Sequence, residues 1–278
     1  QRSPILGAST STPMALPRPL LCAAVLPEQA KGCAASVRPG ALRAQHALRA
    51  PVEASVLFDE VLRFFQSSVP ADIRLCDPAG LTMEVLVMED YRPVDIAVGV
   101  TPAEGGGAKA AFTHKTMTDI TRFHLVVQAA ERTLAPDSAP PFCEMLDFDF
   151  PEDFFQPDAW AATALPALLA QARSGRPRDQ QDVAASLADC ADCHSDCRLP
   201  LAEALAGDVE ITEGLFKAGF AAQYPAAVAL AHACASEGLS EGAAEALGAV
   251  VAGLLAGGLP AAVQKVLARA EQGLGARA

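Results

Sequence analysis

The chain has 278 residues, just over half of them apolar, 19% charged and only 5% aromatic, which is long enough to bury a core in one large domain or two modest ones. Its net charge of −12 disfavours phosphate backbones and anionic membrane surfaces, so no nucleic-acid partner is expected. Eight cysteines at this length are too sparse for a disulfide scaffold and point to reduced thiols in an intracellular compartment.

Charge is unevenly spread. Residues 1–50 carry six Arg or Lys against Glu28 alone, about +5, and the remainder carries about −17. This Pro-, Ala- and Ser-rich stretch shows no sustained period and reads as a disordered or targeting segment. A mitochondrial or plastid transit peptide has this composition. A frame opening upstream of Met14, in a protein of the bacterial cytoplasm, explains it equally. No apolar run reaches the ~18 residues of a spanning helix; the closest, Leu247 to Leu259, holds four glycines.

An α+β domain is predicted over residues 51–175. Residues 53–66 place Val56, Leu57, Val61 and Phe64 at helical spacing. Residues 72–76 and 81–88 flank Asp77-Pro-Ala-Gly80, a turn sequence that predicts a hairpin. Val94 to Val100 is a third strand, and Gly105–Gly107 a flexible loop. A helix is expected from Thr118 as N-cap, with Ile120, Phe123, Val127, Ala130 and Leu134 on one face. Glu144 to Phe150 alternates Leu146, Phe148 and Phe150 against Asp147 and Asp149, the pattern of a half-buried strand. Pro157 and Asp158 open a further helix presenting Trp160, Leu165, Leu168 and Leu169. Ser174-Gly-Arg-Pro177 ends it and marks the domain boundary.

From residue 179 to 278 an Ala-rich helical bundle is predicted, with segments near 180–190, 199–206, 211–219, 223–236, 240–256 and 260–274. Pro200, Pro225 and Pro260 mark starts; Gly238 and Gly257-Gly258 mark ends. The expected fold class is therefore α+β, a small mixed sheet with packed helices followed by this bundle.

Chemistry has few candidate residues. Cys190-Ala-Asp-Cys193-His194 has the spacing of c-type haem attachment, but no Met follows Cys197 and only His232 lies downstream as a second axial ligand. The same residues suggest a zinc site built from Cys190, Cys193, His194 and Cys197, completed by His232 or Cys234. Offsets of three, four and seven share one face if the helix persists, and one face cannot wrap a tetrahedron, so a ligand from residues 232–234 is required. The bland alternative is cysteine as a small apolar residue at a bundle seam. Asp189, Asp192 and Asp196 read as a solvated face, and so do Asp147, Asp149, Glu152 and Asp153, although paired carboxylates also serve acid–base chemistry. His114 and His124 have no visible nucleophile beside them, and no phosphate-binding glycine loop is present. The expectation is a non-catalytic structural or assembly subunit, acting through other protein subunits in a hetero-oligomer, with exposed strand edges as docking surfaces. A zinc protein and an organelle-targeted accessory subunit of a larger complex are the alternatives.

Three short motifs occur in order: Leu86-Val-Met-Glu-Asp90-Tyr91, Asp119-Ile-Thr-Arg-Phe123, and Phe148-Asp-Phe-Pro-Glu-Asp153-Phe154-Phe-Gln-Pro157-Asp158 with Pro166 and Leu168 beyond. This order resembles the small sheath subunit of bacterial type VI secretion systems. Glu89 replaces a glycine of that pattern, Arg122 an asparagine, and one extra residue precedes Pro157 and another Pro166. The resemblance covers under a third of the chain. It implies a heterodimer with a large sheath subunit that polymerises by strand exchange into a contractile tube.

Overall fold

The computed structural model describes residues 45–116, 119–136 and 157–275. Its first strand, β1 (Gln45–Ala50), lies within the segment that composition assigned to disorder or targeting. It forms because Leu48 and Ala50 find a place in the core once β1 pairs antiparallel with β5 (Ala108–His114). Between them come α1 (Ala54–Ser67), β2 (Ala71–Asp77), β3 (Thr82–Glu89) and β4 (Arg92–Pro102). The sheet order is β1-β5-β4-β3-β2. The fold is α+β as expected, but every ladder is antiparallel rather than mixed.

Two turns show how local chemistry sets the register. Asp77 Oδ1 accepts from the amides of Ala79 and Gly80, both at 3.1 Å, so the β2–β3 turn is an Asx turn. A Cβ at Gly80 would sit 2.5 Å from that carboxylate. Gly105–Gly107, expected to be a flexible loop, is an ordered turn with all three φ positive, closed by the Ala103 amide on the Gly107 carbonyl at 3.0 Å.

One face of the sheet packs on α1 and α2 (Ile120–Leu134). This core is made of large side chains: Leu57, Phe58, Val61, Phe64 and Phe65 from α1, Phe112 from β5, and Phe123, Val126 and Val127 from α2. Val56 and Ile120, expected on the inner faces, are exposed. The α2 N-cap is Asp119, one residue after the expected Thr118, which lies outside the described residues; its side chain accepts from the Arg122 amide.

The second core is helical. A short helix α3 (Pro157–Ala159) runs through a π turn (Trp160–Ala164) into α4 (Leu165–Ala172). Pro166 has no N–H to donate, and the π turn takes up the interrupted ladder, with the Leu165 amide donating to Trp160. Then follow α5 (Pro177–Cys193), a 3-10 turn (Ser195–Cys197), α6 (Arg198–Gly207), α7 (Val209–Lys217), α8 (Phe220–Cys234), α9 (Glu241–Leu255) and α10 (Ala261–Gly275). Buried alanines in α5, α8 and α10 let these helices pack closely, with α8 between the other two. Pro225, expected near a helix start, lies inside α8 and is buried.

Residues 42–278 cluster as one compact unit that holds both cores. Leu165 and Ala172 of α4 belong to the helical core, and so do Leu86 and Met88 of β3. On its other face β3 gives Met83, Val85 and Val87 to the sheet core. The expected strand over residues 144–150 and the acidic cluster at 147–153 lie outside the described residues.

Candidate functional site

Two of the resemblance motifs and the cysteine-bearing helix meet at one cleft. The β3–β4 hairpin turns on Asp90 and Tyr91, whose φ of 46° and 57° are the two positive values of a type I′ turn. Neither residue is glycine, and left-handed backbone costs about 1–2 kcal/mol per residue for an L side chain. The turn carries Tyr91 to α5, where its hydroxyl donates to Asp192 at 2.6 Å across 101 positions of sequence. Arg92 reaches Asp182 of the same helix at 3.3 Å. From α2, Arg122 pairs with Asp119 and stands 3.8 Å from Asp90. The cleft these residues line has a volume of about 580 Å³, with Met88, Asp189, Cys193 and Tyr224 completing its walls.

Burial and neighbouring charges favour the protonated forms of several groups in and beside the cleft. Burial and the hydrogen bond to Asp192 push the Tyr91 phenol well above its ordinary value. Burial likewise raises Tyr224, opposed by Arg269. Glu89 is raised by burial and by the neighbouring Asp90. Cys193 is raised by burial, Asp189 and Asp192. Cys190 is raised by burial and by donating to Cys197, whose own thiol is raised chiefly by burial. Activated cysteines lie in the opposite environment, electropositive and thiolate-stabilising.

The zinc reading required Cys190, Cys193 or His194, and Cys197 to share a helix face and meet His232 or Cys234, and the haem reading required Cys190, Cys193 and His194 with His232. The helix does not persist through them. It ends at Cys193, and His194 turns to extended backbone at φ −130° and ψ 103°. Cys197 is buried in the following 3-10 turn. His232 faces Asp192 at 3.4 Å, with its proton affinity lowered by burial and by Arg198. Cys234 is buried in the helical core. Among the described residues, no group of three or more His, Cys, Asp or Glu side chains is arranged to hold a metal ion. Asp192 is exposed, as read, and is also shared by Tyr91 and His232.

A second cavity, of about 620 Å³, lies between α7 and α9 and is lined mainly by Phe216, Val250, Leu254 and neighbouring small residues, with the Glu213–Lys217 pair among the lining residues. At the sheet margin, β2 is an edge strand. A register shift between Ile73 and Leu75 accompanies Arg74 reaching Asp95 at 3.5 Å, and Leu75 is 55% exposed. Among the described residues no helix is long and apolar enough to cross a membrane. Compared with known proteins, the chain matches no family model, no curated protein and no solved structure.

Proposed function

We propose that this protein is a non-catalytic assembly subunit that docks an extended segment of another protein subunit along the open edge of β2. The observation that carries the reading is the exposed stretch from Arg74 to Asp77 at the sheet edge, with Leu75 on its surface. An edge strand offers unpaired backbone donors and acceptors, which template a further strand, and an exposed apolar side chain adds contact area. The raised Cys193 thiol and the raised Tyr91 and Tyr224 phenols of the cleft support a role without nucleophilic chemistry. The resemblance to the small sheath subunit is in keeping with this, because that family joins a larger subunit by strand exchange.

The test uses the full chain, tagged and purified from its source cells, with complex mass measured by light scattering. Wild type is expected in a complex of fixed stoichiometry with an identified partner. Leu75→Lys places a charge on the edge without touching either core, and the expected result is a folded monomer. A monomeric wild type overturns the reading, and so does an L75K protein that keeps the same complex.

A further inference from the structure

His114 ends β5 with its ring in the interior. The residue is 1% exposed, and the ring stacks on Phe123 of α2 with centroids 5.2 Å and planes 18° apart. Among the described residues, neither ring nitrogen has a hydrogen-bond partner. A neutral imidazole carries one donor and one acceptor, and leaving both unpaired in an interior is uncommon enough to need a reason.

The charged groups around the ring are engaged elsewhere, except that the buried Oδ1 of Asp95 has no hydrogen-bond partner among the described residues. From α2 it meets Asp119 and His124, and from β4 Asp95. Asp119 caps α2 through the Arg122 amide at 3.1 Å and pairs with the Arg122 guanidinium. Asp95 holds Arg74 at 3.5 Å. Lys115, the next residue along the chain, is held by Glu84 at 2.7 Å. A proton on the ring would therefore add a buried cation near the positive end of the α2 dipole. His124 opposes a charge on the ring as a like-charged neighbour.

We infer that His114 and the first turn of α2 form an acid-sensitive latch: a proton on the ring loosens that turn, and the Phe123 stack with it, from the end of β5, while the rest of the sheet core and the helical core stay closed. The inference is independent of the docking reading. Burial holds the folded proton affinity of His114 below its ordinary value, and Asp119 and Asp95 only partly offset this. The unfolded or opened chain takes up a proton near pH ~6.5. The closed latch is thus fully stable above that pH and weakens as pH falls toward the lower folded value. Arg122 lies in the turn that is released, so opening also removes its contact with Asp90 at the cleft.

Amide hydrogen exchange on the full chain at about pH 7.5 and about pH 5.5 brackets this range. After correction for intrinsic rates, the expected result is several-fold faster exchange in the first turn of α2 at the lower pH, with β3 and β4 unchanged. His114→Leu should abolish the acid effect, and His124→Gln should retain it. Unchanged exchange in that turn, an acid effect that survives in H114L, or simultaneous opening of the whole fold overturns the inference. Should H114L fail to fold, NMR titration of the wild-type His114 ring decides. The exchange change must follow that titration, and a change that follows another group overturns the inference equally.

Discussion

The two cores solve one packing problem with different material. The sheet core fills its volume with a few large side chains, among them Phe58, Phe65, Phe112 and Phe123. The helical core relies on alanines, including Ala184, Ala188, Ala227 and Ala233, with scattered Leu and Val. A core of large residues has most to lose when one is removed. A core of alanines has little to lose by deletion and is instead intolerant of added volume, since its helix spacing is set by the absence of side chain.

That contrast can be broken or sharpened by substitution. Phe112 is fully buried, and Phe112→Ala should cost about 3–5 kcal/mol in denaturant unfolding; a loss below ~1 kcal/mol would mean the sheet core refills easily. Ala188 is also fully buried. Ala188→Leu should destabilise by about 1–3 kcal/mol through overpacking, and a neutral result would place slack between α5 and its neighbours. At the joint between the cores, Tyr91→Phe removes only the hydroxyl bound to Asp192. The pair is exposed, so the expected loss is about 1 kcal/mol, read in a double-mutant cycle with Asp192→Asn. Outside both cores, a Cβ at Gly253 in α9 would meet nothing within 4 Å. Gly253→Ala should therefore raise the thermal midpoint, by about 0.5–1 kcal/mol of helix propensity.

Much of the fold was legible where side chains were large or periodic. The amphipathic α1, the Asp77–Gly80 turn and the helices after residue 177 follow from spacing, caps and turn residues. The strands β1 and β5 were not legible. Ala108-Lys-Ala-Ala-Phe-Thr-His114 and Gln45-His-Ala-Leu-Arg-Ala50 are alanine-rich and carry little strand propensity. They are strands because each satisfies the other's backbone and because Leu48, Ala50, Ala108, Ala110 and Phe112 join the sheet core beneath α1 and α2. The cleft was hidden for a different reason. Tyr91 and Asp192 are joined by the packing of β3 on the helical core, and no local pattern records a contact of that length. The cysteine spacing was visible, but not the end of α5 at Cys193, beyond which His194 and Cys197 leave the helix.

The double-faced β3 has a consequence for how this chain can be divided. Its run Val85-Leu-Val-Met88 sends alternate side chains into opposite cores. A cut near residue 175 would strip Leu86 and Met88 of their cover and leave the bundle with a gap where a strand belongs. The two halves should therefore melt in one cooperative transition, and neither should be recoverable alone as a folded fragment. A single strand thereby makes one folding unit out of what composition presents as two domains.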